Sequence, residues 1–322
     1  MKDESLSYIN NTYSPDFYAS AAEQITRKIE SVLNSSGIMY RLFKREKSKE
    51  SVYDKIERKY DYYIKSNKRM QDVIGIRLIL YFKDDIAICI RVLNDAFEED
   101  NHEFDSFDEF TFKPLRINYV FRIPEDIVIG LNKDRERWLI DDTFEVQLRT
   151  TFTEGWQEVE HDIRYKFKDD WNNALDMSRD LNALSAVLEM CDNNIVGICD
   201  NLSYRKYKDR DVESMMRNRF RLRFNSAHIN DELNAIILSD YENLGKTIFR
   251  FDRMLLIWLL YKSEIEPSYD NVIFIVNHIQ MKNEKISKLS VGIDYSCIDK
   301  WSNDYITKKN TFYDSIVPMD YT

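Results

Sequence analysis

The sequence predicts an α+β fold: a mixed β-sheet flanked by helices, followed by a mostly α-helical C-terminal region. Three observations predict it. Residues 115–121 and 143–149 each alternate polar with apolar side chains, as a strand with one solvated face does. Residues 74–82 are almost continuously apolar and β-branched, the pattern of a central strand covered on both sides. Around these runs, Ile25, Ile29 and Val32, and again Ile86, Ile90 and Leu93, recur at helical spacing.

In chain order, Ser14-Pro15 opens a capped helix that ends at Gly37. A basic loop follows, and residues 41–69 hold eleven Lys or Arg against five Asp or Glu, a local cationic site in a chain of net charge −10. Ser51 starts a second helix, with Ser51 and Lys55 on one face and Val52 and Ile56 on another. The strand 74–82 comes next, then a helix over 84–96. Residues 98–109 carry seven acids and no Lys or Arg, and read as a loop. The strand 115–121 puts Arg116 and Asn118 on one face. In the strand 143–149, Glu145, Gln147 and Arg149 share a face, opposite Phe144, Val146 and Leu148. An amphipathic helix carrying Trp156, Glu158, His161, Tyr165 and Lys166 follows, and then a long helix through Leu181, Leu184, Leu188, Ile195 and Ile198. The charged run 205–211 is the expected boundary between a domain at 1–204 and a helical one at 205–322.

Composition narrows the function. The acidic balance argues against general nucleic-acid affinity. The densest apolar run, Met254 to Tyr261, is far short of the roughly 20 residues that span a bilayer, and a chain starting Met1-Lys2-Asp3-Glu4 shows no signal peptide, so a cytoplasmic protein without membrane attachment is expected. Cys89, Cys191, Cys199 and Cys297 are widely spaced and read as buried thiols. Seven glycines and no Gly-rich loop mean that any phosphate must be gripped by side chains, which the basic segment supplies.

Three segments resemble the synthetase domain of the RelA/SpoT family over roughly residues 37–198. Arg45 to Lys55 is similar to its Arg-x-Lys-x-x-x-Ser-[Ile/Val]-x-x-Lys segment, Asp72 to Arg77 to its Asp-x-x-[Gly/Ala]-x-Arg segment, and Glu145-Val146-Gln147-Leu148-Arg149-Thr150 to its signature strand. The resemblance implies a nucleotidyltransferase-like fold and transfer of pyrophosphate from ATP to the 3′-hydroxyl of a guanine nucleotide. It implies that Asp72 and Glu145 hold Mg²⁺, with Glu145 also activating the hydroxyl and Gln147 beside it. It further implies that Arg45 and Arg77 stack on adenine, and that Lys47, Ser51 and Lys55 contact phosphates. Strict alternation would send Asp72 and Arg77 to opposite faces, so a bend or strand start near Ile74 is required.

The acceptor side departs from the family, whose preceding strand carries Gly-Tyr-x-Ser-x-His. Here Pro114 stands for the guanine-stacking tyrosine, Arg116 for the serine and Asn118 for the histidine. Arg116, Asn118 and Arg149 are the candidate acceptor contacts. Three readings stay open: a pyrophosphokinase acting on a nucleotide or a tRNA 3′ end, such as a growth-inhibiting toxin or phage-defence effector under an antitoxin or regulatory protein; a conventional guanosine tetra- or pentaphosphate synthetase; and a degenerate nucleotide-binding regulator. His161-Asp162 is the sole adjacent His-Asp pair and sits inside the helix motif, so no hydrolase domain is expected. Arg217, Arg219, Arg221 and Arg223 alternate with apolar or amide residues and, as a strand, would offer a cationic strip to RNA; Arg223 to His228 also fits the short Arg-x4-His pattern of HEPN ribonucleases.

Overall fold

The computed structural model describes residues 2–104, 117–128, 138–290 and 292–316. Helices α1 (Lys2–Thr12) and α2 (Pro15–Ser36) lead into β1 (Tyr40–Glu46), α3 (Lys49–Ser66), β2 (Ile74–Leu80), α4 (Asp85–Ala96), β3 (Glu99–Phe104), β4 (Ile117–Arg122), α5 (Glu125–Val128) and β5 (Thr143–Thr150). Then come α6 (Thr151–Val159), a π-helical turn (Glu160–Tyr165), α7 (Lys168–Trp171) and α8 (Leu175–Lys208). The C-terminal region is helical: α9 (Val212–Phe220), α10 (Asp231–Ser239), α11 (Leu244–Arg250), α12 (Arg253–Lys262), α13 (Tyr269–Val276), α14 (Glu284–Leu289) and α15 (Tyr295–Ile316). The expected fold class is the observed one.

The five strands lie in the order β1-β2-β5-β4-β3, with β2 and β5 parallel and the other neighbours antiparallel. Sequence expectation differs at both edges. The basic segment after Gly37 is a strand, β1, whose outward residues Arg41, Phe43, Lys44 and Arg45 are exposed, so no apolar period marks it. Acidic residues 99–104 are strand β3 rather than loop, because an edge strand needs one partner and tolerates charge. Helix α3 begins two residues earlier than expected: the Ser48 hydroxyl caps it by accepting the Ser51 N–H at 3.2 Å.

Helix α8 runs unbroken through the boundary expected at 204/205, and buried side chains from Leu6 to Tyr305 form one continuous core. Helix α12, apolar on every side, packs against α2, α4 and α15. On α4, Arg91 lies 4.0 Å from the Trp258 ring and 4.7 Å from that of Tyr305. Gly37 ends α2 with φ +75°, and its carbonyl accepts the Arg223 N–H at 2.9 Å. A β-carbon there would meet Pro267 at 3.0 Å, so only glycine serves both the left-handed turn and the close approach.

A cluster of charges closes the same seam. Asp85 is fully buried at the start of α4, 2.6 Å from the Arg253 guanidinium, and Arg253 Nε donates to the Phe220 carbonyl at 2.6 Å. Arg221, 3% exposed, joins Asp84 to Asp200. This corrects the cationic strip. Residues 212–220 are helix, Arg221 turns left-handed with φ +48°, and the four guanidiniums scatter. Arg217 meets Glu213 and Tyr269, Arg219 the Phe249 carbonyl and Asp200, and Arg223 the Tyr40 carbonyl. Arg219, Arg221 and Arg223 tie the C-terminal region to the residues before it, Arg217 stays within that region, and the four present no row of cations to RNA. His228 is well exposed beside Glu213, away from the partner that Arg223 takes, so the ribonuclease pattern has no matching geometry.

Candidate active site

Register sets the polar face of the sheet. Arg77 on β2 lies opposite Gln147 on β5, which lies opposite Asn118 on β4; one step along, Gly75 lies opposite Glu145. The alternation of residues 143–150 therefore delivers Glu145, Gln147 and Arg149 to one surface, and at the glycine beside Glu145 a β-carbon would lie 3.8 Å from the Arg45 carbonyl. Asp72 precedes β2, whose start at Ile74 removes the parity conflict with Arg77.

The chain around Asp72 brings cations to it. Lys47 N–H donates to the Val73 carbonyl at 2.9 Å, extending the β1–β2 ladder by one residue and setting Lys47 beside Asp72. Helix α3 swings back over this point, so that Lys55 Nζ lies 2.5 Å and Lys47 Nζ 3.2 Å from the same Asp72 oxygen. The Lys47 carbonyl is pinned from behind by the Tyr13 hydroxyl at 2.6 Å, a donor that burial and Glu46 push up to about 12. Ser51, one turn before Lys55, sits in the first turn of α3, where free N–H groups favour an anion.

The two carboxylates are tuned apart. Burial works to raise Asp72, but the Lys55 and Lys47 ammoniums outweigh it and hold it below the ordinary range. Glu145 is raised, first by burial and then by the charge of Asp72, against a 2.9 Å hydrogen bond from Gln147 Nε2. Asp72 thus stays an anion suited to a cation, while Glu145 is the more basic group and suited to take a proton. Among the described residues no three or more His, Cys, Asp or Glu converge as a ready-made metal cage. The Asp72 and Glu145 carboxylates are hard oxygen donors of the kind that would hold a Mg²⁺.

Beyond Gln147 the site is bounded by α6. Glu154, 13% exposed, accepts from both Arg77 and Arg149 at 2.6 Å, and Glu158 takes Arg77 at 2.5 Å. Sequence reasoning gave Glu154 no role and did not foresee these pairings. The available signal was an acidic pair four residues apart, directly after the strand that carries Arg149. Arg45 is exposed on β1, and Asn118 is half-buried in β4. Arg116, like Pro114, lies outside the described residues. His161 is exposed, hydrogen-bonded to Asp162 and stacked on Tyr165.

Residues 44–170 match the model of the region found in RelA and SpoT proteins. The chain carries a RelA/SpoT domain. Solved structures similar to it include the small alarmone synthetase 1 of Bacillus subtilis, with 23% identity, a TM-score of 0.44, and coverage of 56% of this chain and 92% of that one. A GTP pyrophosphokinase family protein of Streptococcus pneumoniae shows 20% identity and a TM-score of 0.41, covering 58% and 91%. The Bacillus subtilis protein bound to AMPCPP matches at 22% with a TM-score of 0.40, covering 56% and 91%. No curated protein matches significantly. Within the RelA/SpoT domain fall every candidate from Arg45 to Arg149, whereas the helical region after α8 lies beyond the match. No helix among the described residues is long and apolar enough to cross a membrane.

Proposed function

We propose that this RelA/SpoT-domain protein is an ATP-dependent pyrophosphokinase that transfers the β,γ-pyrophosphoryl group to a 3′-hydroxyl. The observation that carries the reading is the pairing of Asp72, charge-neutralised by Lys47 and Lys55, with the more basic Glu145 on the adjoining strand. Lys47, Lys55 and Ser51 take the phosphates of ATP, and Arg45 and Arg77 hold the adenine by stacking. Bound Mg²⁺, held by Asp72 and Glu145, supplies neutralisation of the triphosphate. The 3′-oxygen attacks the β-phosphorus, the bond from that phosphorus to the α,β-bridging oxygen breaks, AMP leaves, and the hydroxyl proton passes to Glu145. Gln147 keeps the Glu145 carboxylate oriented. Arg77 and Arg149, anchored through Glu154, frame the side of the cleft beyond it.

The acceptor is a guanine nucleotide or a tRNA 3′ end. Pro114 in place of the stacking tyrosine favours the second, because loss of an aromatic platform costs about 1–3 kcal/mol per stacked base. A tRNA acceptor would make the chain a growth inhibitor held in check by an antitoxin or other regulatory protein. Incubation with γ-labelled ATP and separate pools of GDP, GTP, ATP and tRNA tests both levels of the reading, since the labelled product names the acceptor. ATP binding without AMP release from any pool would replace the enzyme with a nucleotide-binding regulator. Arg45→Ala and Arg77→Ala should each weaken ATP binding about tenfold, the worth of one stacked guanidinium; unchanged affinity by calorimetry would remove them from the adenine site. Pro114→Tyr with Asn118→His should raise transfer to GDP or GTP, and no gain would mean that the acceptor is held by other residues.

A further inference from the structure

Helix α8 is built inside out. Its buried residues are polar, Ser185, Asp192 and Ser203, whereas Leu184, Val187, Met190 and Ile198 are each more than half exposed. Leu184, Val187, Cys191 and Ile198, followed by the partly exposed Leu202, recur at spacings of three, four and seven, the seam of a helix that pairs with another. A seam of this kind asks for a second helix beside it.

The charge along α8 says what that second helix is. Asp176 and Asp180, with Arg179 between them, lie near its start and Arg205, Lys206 and Lys208 at its end, where Lys206 also lies 3.5 Å from Asp211, with Cys191 midway. Two copies laid antiparallel about a two-fold axis beside Cys191 set acidic start against basic end at both extremities, and Leu184 of each against Ile198 of the other. A parallel pair would oppose like charges. At 34 residues the helix is about 51 Å long and about 10 Å wide. With the flanking π-helical turn, where Ile163 and Tyr165 are also exposed, the surface approaches the roughly 800 Å² per partner that stable complexes bury.

We infer that this face is a self-complementary interface, and that the chain forms a two-fold dimer through antiparallel α8 helices. Sedimentation equilibrium on the full chain should give the dimer mass, and Leu184→Glu with Ile198→Glu should give the monomer with unchanged circular dichroism, since both positions are already in solvent. Mild oxidation with diamide should cross-link the wild type through Cys191, a bond retained in Cys297→Ser and lost in Cys191→Ser; this readout stands even if the double variant misfolds. A monomeric wild type, a dimer that survives the folded double variant, or a cross-link that persists in Cys191→Ser would each overturn the inference.

Discussion

Replacing Glu145 with Gln is expected to lower AMP release from ATP by about 10²–10³-fold or more without loss of the fold, and Asp72→Asn should lower it as far with a small fall in melting temperature, since the Lys47 and Lys55 pairs that hold the Asp72 carboxyl low are lost. Each substitution keeps volume and removes a charge on the open face of the sheet, so the loss falls on chemistry and spares packing. Asp72→Asn also leaves Lys47 and Lys55 without the carboxylate that they now share, so affinity for triphosphate alone should hold or rise while transfer collapses. That split between binding and turnover separates a catalytic role from a merely structural one. A folded Glu145→Gln protein with wild-type turnover would sink the proposed mechanism.

The second large effect is on stability. Asp85→Ala should destabilise the chain by about 3–5 kcal/mol, a fall in melting temperature on the order of 10 °C, because it leaves the Arg253 guanidinium in the interior without its nearest carboxylate. The pair touches at 2.6 Å but is angled away from hydrogen-bond geometry, so its attraction is chiefly electrostatic. Removing both charges, Asp85→Ala with Arg253→Met, should recover much of the loss, since neither charge is then stranded. Thermal melts showing additive losses in the double variant would assign the effect to packing instead.

How far the chain could be read in advance depended on where each signal is stored. The alternation in residues 143–149 and the apolar run at 74–82 reflect burial against immediate neighbours, and both were legible. Edge strands β1 and β3 have one partner and much exposed surface, so their sequences record charge rather than period. The four alternating arginines from 217 to 223 imitate a strand, yet Asp211 caps a helix that reaches Phe220, and Arg221 turns left-handed as it is buried between Asp84 and Asp200. Their partners lie up to 183 residues away, beyond any local pattern. The same is true at the candidate site, where spacing brought Asp72, Glu145 and Gln147 into view but not the grip of Glu154 on Arg77, 77 residues before it. A boundary at 204/205 read sensibly as a change in composition, but the backbone there is the middle of a helical turn.

That α2 and α4 are roofed by α12 sets the timing of the protein's birth. Helix α2 begins at Pro15 and its cover at Arg253, so at about 5–20 residues per second a ribosome takes on the order of 10–50 s to supply the missing wall. Once residue 158 has been made all the described residues of the candidate site exist, but until Arg253 emerges the helices that buttress the sheet still show bare apolar surface and Asp85 lacks Arg253. Nascent chains cut short before α12 should therefore be insoluble or captured by chaperones rather than active. Competence to bind and turn over nucleotide arrives late and all at once, when the last third emerges.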